Sequence, residues 1–204
     1  MTPRLSAAER QDQILRAATR VFARSNYRAA GVAEIAREAG VSEPLLYKHF
    51  PGKKALFLRI LERVGRRILE VWEATVADAP DALAALRRAG EVYVENLRRH
   101  ADEARLQFQA LAEAGDPEVA EVLRANHAAY VGFFEALLAR GQREGVIRSD
   151  VDAHATAWLL DGTGFTLTLT RVLDLDGDDG ARTDQMFRGL LDWLADVDDE
   201  KGTP

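Results

Sequence analysis

The side chains with the clearest chemical use lie together in one short stretch, Glu43-Pro-Leu-Leu-Tyr-Lys-His-Phe50. In a helix, Leu46 and Phe50 are four residues apart and share one side, which leaves the polar groups on the other side. A carboxylate, a phenol, an ammonium group and an imidazole on one exposed side can bond to the base edges and phosphates of nucleic acid. The residues on that outer side are Glu43, Pro44, Leu45, Tyr47, Lys48 and His49.

The residues before this stretch predict the element that would hold it in place. Within residues 32–39, apolar side chains recur at helical spacing, and Gly40 follows where a left-handed residue would end the helix. Ser42 is a good N-cap for a second helix. Two short helices joined by a tight turn with glycine form a helix-turn-helix motif. The alternative is an ordinary corner between two helices of an enzyme.

A longer pattern runs through this motif: Ile35-Ala36-x-x-Ala39-Gly40-Val41-Ser42, then Leu46-Tyr47-x-His49-Phe50-x-x-Lys53-x-x-Leu56-Phe57. The pattern resembles the DNA-binding domain of the tetracycline-repressor (TetR) family of one-component regulators, over roughly residues 8–58. The sequence departs from the family at Ala30 and Gly31, which replace a usual pair of threonines, and at Pro44, where many members have glycine. Gly31 can still act as a weak N-cap.

The resemblance implies a homodimer that binds double-stranded DNA at a pseudo-palindromic operator, with one recognition helix in the major groove of each half-site. It also implies that an unknown small-molecule effector binds among the helices that follow. The expected phosphate contacts are Arg28, Ser42, Tyr47, His49 and Lys53. The expected readers of base edges are Glu43, Pro44, Leu45 and Lys48.

Charge is distributed in a way that favours this interpretation. The net charge of the 204-residue chain is −6, which by itself argues against binding to nucleic acid. Residues 1–54, however, contain ten Lys or Arg and five Asp or Glu, and the remainder contains 17 and 28. A basic head on an acidic body directs the head toward phosphate. The N-terminus has no apolar signal core and no run approaches membrane-spanning length, so we expect a cytoplasmic protein with no membrane partner.

Helical periodicity predicts an all-α fold of about nine helices in two domains. Residues 1–54 would form a three-helix DNA-binding domain, and residues 55–204 a larger helical domain for effector binding and dimerisation. One segment is ambiguous, since Phe165-Thr-Leu-Thr-Leu-Thr170 alternates as a strand does. We favour a helix over about residues 151–173, capped by Ser149-Asp150, because an isolated strand would have no partner.

The second domain carries aromatic and polar side chains at positions that would surround one another. Helical bundles bind small molecules in apolar pockets with a few polar groups, although aromatic residues at helical spacing are also ordinary core. The candidate effector residues are Trp72, Tyr93, Phe108, Asn126, His127, Tyr130, Phe134, Trp158, Asp161 and Phe165.

Other chemistries find little support in the sequence. The chain has no Cys, its four His are scattered, and no cofactor-binding motif is visible, so we expect neither a cofactor nor a metal. Asp174, Asp176 and Asp178 begin like a calcium loop, but Asp179 and Gln185 stand where that loop needs Gly and Glu. No nucleophile is paired with a base, so an enzyme is not expected. The alternatives that remain are a ligand-independent or architectural DNA-binding protein and, far behind, a helical enzyme or lipid carrier.

The last two long helices are the expected dimer interface. Gly162 and Gly164 lie inside a helical segment, where each costs about 1 kcal/mol relative to Ala unless another backbone approaches closely. The last helix has apolar side chains on more than one face, which a two-fold partner could cover in a four-helix bundle. The alternative is that both faces are internal core. The candidate interface residues are Gly164, Thr168, Phe187, Leu190, Leu191, Trp193 and Leu194.

Overall fold

The computed structural model describes residues 5–175 and 181–195, and this part of the chain is all-α, with nine helices and no strand. The predicted fold class is therefore confirmed. The helices are α1 (Ala7–Ser25), α2 (Val32–Glu38), α3 (Glu43–His49), α4 (Lys53–Val76), α5 (Ala82–Arg99), α6 (Ala101–Ala112), α7 (Pro117–Glu144), α8 (Ala153–Val172) and α9 (Ala181–Ala195).

The ends of the first helices follow local capping chemistry. The Ser6 hydroxyl accepts a hydrogen bond from the Glu9 backbone N–H (3.2 Å), and the Glu9 carboxylate accepts one from the Ser6 N–H (2.7 Å). This reciprocal pair is a capping box, which satisfies two N–H groups that have no partner within the helix. Gly40 has φ +64°, so the chain turns sharply out of α2 with a conformation that other residues rarely adopt.

Helix α8 differs from the sequence prediction at its start and agrees with it in type. Asp152, not Ser149-Asp150, is the N-cap, and its carboxylate accepts from the Ala155 N–H (2.7 Å). The alternating segment is helical because its threonines do not compete with the helix. Their hydroxyls donate to carbonyls three or four residues earlier: Thr166 to Gly162 (3.1 Å), Thr168 to Gly164 (2.9 Å) and Thr170 to Leu167 (2.8 Å).

The chain forms two compact units. The first contains residues up to Arg66 together with Asp102–Arg124, and the second contains Arg67–Ala101 together with the chain from Ala125 onward. Helix α6 and the start of α7 therefore belong with the helix-turn-helix, whereas the sequence boundary was placed after residue 54. Helices α4 and α7 contribute residues to both units.

The first unit is built around the aromatic rings of α1 and α4. Phe22 and Phe57 are fully buried and meet edge to face at a centroid distance of 5.5 Å. Tyr27 packs on both, at 5.9 Å from Phe22 and 4.5 Å from Phe57. Aromatic contacts of this kind add to the hydrophobic gain from burial. Because Ile35 and Leu46 are also fully buried, α2 and α3 are fixed to the same core.

In the second unit, α9 packs closely on α5 at a glycine. A Cβ at Gly90 would lie only 2.0 Å from the Phe187 ring, so only glycine leaves room for that ring. Leu191 and Leu194 are also buried, at one and two turns beyond the ring. These three residues therefore form the inner side of α9, as expected for an amphipathic helix.

Two remaining sequence predictions concern membranes and metals. None of the helices in residues 5–175 and 181–195 is long and apolar enough to cross a bilayer. Within the same residues, no three His, Asp or Glu side chains come together as a metal site would require. The calcium-like pattern falls mainly on residues 176–180, outside the described residues.

Candidate nucleic-acid interface and effector site

The recognition helix α3 is held by its cap and by its inner face. The Ser42 hydroxyl accepts a hydrogen bond from the Leu45 N–H (3.3 Å), and Pro44 occupies the first turn, where no N–H is needed. Leu46 and Phe50 are buried as predicted. Glu43, Pro44, Tyr47 and Lys48 are exposed, whereas Leu45 and His49 are half-buried.

The turn between α2 and α3 is tied to α1 by polar contacts that the sequence did not reveal. The Gln13 side-chain amide donates to the Ala39 carbonyl (2.8 Å), which satisfies a carbonyl at the end of α2. Two ion pairs join the outer surfaces of α1 and α2: Arg20 with Glu38 (2.8 Å) and Arg24 with Glu34 (3.0 Å). Contacts from α1 to α2 and to Ala39 therefore hold the turn in place before any DNA is bound.

The basic residues beside α3 already have partners within the first unit. Arg28 is 78% exposed and pairs with Glu113 (2.8 Å) at the end of α6. The Lys53 ammonium group donates to the Arg28 carbonyl (3.1 Å) and lies 4.9 Å from the centre of the Tyr27 ring. Arg28 and Lys53 are both predicted phosphate contacts. The hydrogen bond from Lys53 holds the Arg28 backbone in position.

Lys54 makes a second link to the same region. Its ammonium group lies 2.7 Å from carboxylates of both Asp116 and Glu118, and hydrogen bonds to these groups, Asp116 first, raise the pKa of Lys54 to about 12. The Gln109 amide also donates to the Phe22 carbonyl (2.9 Å). With the pair of Arg28 and Glu113, these ion pairs and the Gln109 hydrogen bond join α6 and the start of α7 to the part of the first unit that carries the recognition surface.

In the second unit, an aromatic cluster surrounds Trp72. The ring centroids of Tyr93, Tyr130, Phe133 and Phe134 lie 4.9–5.7 Å from that of Trp72. The Trp72 indole N–H donates to the Ala89 carbonyl (3.1 Å), which fixes the ring. Three helices, α4, α5 and α7, therefore bring together four predicted effector residues and also Phe133.

A polar group adjoins this cluster. His127 Nδ1 lies 2.8 Å from the Asp161 carboxylate. The centroid of the His127 imidazole lies 5.8 Å from that of the Tyr130 ring. The hydrogen bond to Asp161 is the main cause that raises the pKa of His127. The Tyr93 hydroxyl forms a hydrogen bond with the Thr168 hydroxyl (2.8 Å) and lies 3.3 Å from the Gly164 carbonyl.

Other predicted effector residues lie elsewhere. Phe108 belongs to the first unit, while Asn126 is a half-buried residue of the second unit. Trp158 and Phe165 are 51% and 42% exposed, so they lie on the outside of α8. Aromatic character alone could not distinguish an inner position on α8 from an outer one, because large apolar side chains also cover interfaces between chains.

The outer side of α8 and α9 is unusually apolar. Trp158, Leu159, Phe165, Met186 and Trp193 are all exposed, and Gly162 lies among them on α8. We call these six residues the α8–α9 surface. Leu159 was not selected from the sequence, although the spacing 155, 158, 159, 162 and 165 follows one helical face.

Several predicted interface residues instead face the inside of the second unit. Thr168 is buried and bonded to Tyr93, and a Cβ at Gly164 would meet the same ring at 3.6 Å. Leu191 and Leu194 are buried and Phe187 fills the space at Gly90. Leu190 is half-buried and Trp193 is 39% exposed.

Comparison with known proteins agrees with this arrangement. A family model for the N-terminal domain of bacterial regulatory proteins of the tetR family matches residues 14–60, and one for the C-terminal domain of tetracycline-repressor-like proteins matches residues 79–168. The chain belongs to the TetR family. It is therefore a helix-turn-helix transcriptional regulator and not an enzyme.

This TetR-family chain is similar to a transcriptional activator. It is 37% identical over 106 residues to the HTH-type transcriptional activator FasR of Mycolicibacterium smegmatis, an alignment that covers 52% of this chain and 48% of FasR. The chain thus aligns with about half the length of that relative.

Solved structures match nearly the whole chain. A transcriptional regulator from Saccharomonospora viridis in complex with choline is 26% identical, with a TM-score of 0.78 and coverage of 92% of this chain and 96% of that one. The fatty acid degradation regulator FadR from Bacillus halodurans has a TM-score of 0.79 at 23% identity, covering 93% and 97%, and this likeness supports the fold alone.

Proposed function

We propose that this TetR-family regulator is a homodimeric repressor whose affinity for a pseudo-palindromic operator changes when a small molecule binds in its second unit. The observation that carries the proposal is the exposed outer face of α3, with Tyr47 49% exposed beside Glu43, Pro44 and Lys48. This face remains open while Leu46 and Phe50 fix the helix from behind.

On DNA, the base contacts and the phosphate contacts would be made by different residues of the motif. Lys48 can donate to guanine, Glu43 can accept from the amino group of cytosine, and Pro44 and Leu45 can pack on thymine methyl groups. Ser42, Tyr47 and His49 would contact phosphates at the ends of α3 and so set its register. Arg28 and Lys53 would extend the phosphate contacts on the side where they already meet.

The α8–α9 surface supports the homodimer. Its exposed Trp, Leu, Phe and Met side chains form the kind of apolar patch that marks an interface, and Gly162 permits close approach of a partner helix. Trp193, from the original interface prediction, belongs to this surface. We therefore assign dimerisation to the outer side of α8 and α9 and assign Gly164 and Thr168 to packing around Tyr93.

The Trp72 cluster and its polar neighbours support the effector site. An apolar site with a few placed polar groups is what small-molecule recognition requires. The related regulator from Saccharomonospora viridis has choline bound, which supports a small-molecule ligand in a body of this fold. The effector would change operator affinity only by binding more tightly to one separation of the two recognition helices than to another.

The sign of regulation has a second candidate. FasR, the relative that is 37% identical over 106 residues, is named as an activator. A repressor blocks transcription when it occupies its operator, whereas an activator requires occupancy for transcription. The structure of α3 serves both, so the difference would lie in where the operator stands relative to the promoter.

A gel-shift assay on the intergenic DNA upstream of the chain's own gene tests the proposal. The expected result is a shifted band that depends on a palindromic segment and disappears, or strengthens, with some members of a metabolite panel. In vitro transcription from the same fragment distinguishes repression from activation. Specific binding that no small molecule changes would favour the ligand-independent DNA-binding protein, and no specific binding would refute the proposal.

A further inference from the structure

An acidic side chain stands at the edge of the aromatic cluster. Asp161 is the carboxylate of α8, and its side chain is only 12% exposed. Its Oδ2 atom bonds to His127, while no residue in the described part of the chain donates to its second oxygen. Burying a carboxylate this deeply is unfavourable unless a partner compensates it, and a half-exposed imidazole is a modest partner.

The Asp161 charge also acts on the surrounding phenols. Burial, and then the nearby Asp161 charge, raise the pKa of Tyr93 to about 12 against an opposing hydrogen bond from Thr168. Burial is also the main cause that raises the pKa of Tyr130, with Asp161 adding to it and the Arg67 guanidinium opposing it less strongly. Both phenols thus stay neutral, and the fixed charge that acts most strongly on them is negative.

The faces of the aromatic rings add to the negative electrostatic potential of the site. The face of each ring carries negative electrostatic potential, and a cation placed over it is attracted, most strongly by Trp. Trp72, Tyr93, Tyr130 and Phe133 supply four such rings within one cluster. Tyr93, Phe133 and His127 keep partial exposure around the more buried Trp72, so this edge of the cluster is in contact with solvent.

We propose that the effector site takes an organic cation, an amine or quaternary ammonium ion whose charge lies between the Asp161 carboxylate and the rings of Tyr93, Tyr130 and Phe133. The inference rests on the proposed function, since it names the ligand class of the same site. An anionic ligand would be repelled by Asp161, and a neutral ligand could at most donate a hydrogen bond to it, without the charge–charge attraction that a cation gains. The cation would also supply the compensation that His127 gives only in part.

Three probes of nearly the same shape test the charge directly. Choline, neutral 3,3-dimethylbutan-1-ol and anionic 3,3-dimethylbutanoate share one branched head and differ in charge. Titration calorimetry with the full chain should give heat for choline at millimolar concentration and far weaker binding for the other two. Benzyltrimethylammonium serves as a second, larger cation in case the site requires more apolar surface.

Two matched variants locate the binding. Asp161→Asn should weaken the cation by about tenfold or more, because it removes a charge close to the ligand in a partly desolvated site. Glu135→Gln is the control, since Glu135 also pairs with a histidine, His154 (2.9 Å), but on the exposed surface. Phe133→Leu keeps apolar bulk and removes a ring, so it should reduce the preference for choline over its neutral analogue.

Proton competition gives a second readout. The imidazolium of His127 and the ligand would compete for Asp161, so cation affinity should be weaker near pH 6 than near pH 8. The other ionisable groups around Asp161 are Tyr93, Tyr130 and Arg67, none of which changes charge across this interval. A cation that binds equally well at both pH values, and equally to the Asp161→Asn variant, would overturn the inference.

The inference and the proposed function fail in different ways. If neither cation binds, or if the anion binds more tightly than choline, the ligand class is wrong, while operator binding and its response to other metabolites remain intact. If the chain shows no specific operator binding, the proposed function is wrong whatever the probes do. Binding of choline that Glu135→Gln weakens as much as Asp161→Asn does would also overturn the inference.

Discussion

At the scale of single residues, the outer face of α3 separates a base reader from a phosphate contact. Lys48 and Tyr47 are neighbours in sequence, and both are exposed. Lys48→Ala should remove one base contact, so the preference at one base pair of each half-site should relax by about 1–3 kcal/mol. Sequence selection from a randomised operator library, performed with wild type and variant, measures this change.

Tyr47→Phe is the matched comparison, because it removes a hydroxyl that is expected to contact phosphate. This variant should weaken all sites about equally and leave the preferred sequence unchanged. If Lys48→Ala left every position of the selected sequence as in wild type, Lys48 would be a phosphate contact and not a reader.

At the scale of the helices, two histidine–carboxylate pairs join α7 to α8. His127 of α7 bonds to Asp161 of α8, and Glu135 of α7 bonds to His154 of α8. The hydrogen bond to the carboxylate raises the pKa of each histidine, so the folded chain holds both protons more tightly than the unfolded chain. Their stabilisation is present in full below the unfolded pKa and is lost as pH rises through the higher folded pKa.

The double variant His127→Gln with His154→Gln should therefore lose pH dependence. Between about pH 6 and pH 8, the free energy of unfolding should fall more steeply for wild type than for the variant. Urea titrations at several pH values measure this difference. His49→Gln is the control, since the His49 side chain has no hydrogen bond or ion pair within the described residues. Equal pH dependence in wild type and the double variant would contradict the assignment.

The same helices show what sequence could and could not predict. Helix types and caps depend on near neighbours, so the Ser42 N-cap of α3 and the end of α2 at Gly40 were readable in advance. The direction of a side chain depends on distant residues. Gly162 and Gly164 are equivalent in sequence, but only Gly164 lies against Tyr93, which is 71 residues away. The threonine-rich segment was likewise ambiguous until its hydroxyls were seen to donate within α8.

The proposed dimer can be tested by comparing substitutions on the exposed and buried sides of α9. Leu159→Glu with Trp193→Glu places charges on the exposed α8–α9 surface, so the expected product is a folded monomer. Leu191→Glu is the contrasting variant, because Leu191 is buried and an unpaired charge there should unfold the second unit. Sedimentation together with circular dichroism measures both results. A double variant that stays dimeric with full helicity would place the interface elsewhere.

At the scale of the whole molecule, positive charge is concentrated in residues 1–54, the head that is expected to contact DNA, and negative charge in the rest of the chain. Residues 1–54 carry an excess of five positive charges, while the chain as a whole carries −6. Some of the head's cations are already engaged, as Arg28 is with Glu113 and Lys54 with Asp116 and Glu118. Fewer charges are therefore left for phosphate in each head of the proposed dimer, and we expect high operator affinity to require two heads acting together.

That requirement predicts how the monomeric variant should respond to salt. Each head releases counterions in proportion to the phosphates it neutralises, so the plot of log affinity against log salt concentration should have about half the wild-type slope in the monomer. Fluorescence anisotropy with a full operator for wild type and a half-site for the Leu159→Glu, Trp193→Glu variant measures the two slopes. The recognition surface is unchanged in this variant, so its preferred half-site sequence serves as the control. A monomer slope equal to that of the wild type would mean that a single head makes all of the phosphate contacts, and the two-head arrangement would then be wrong.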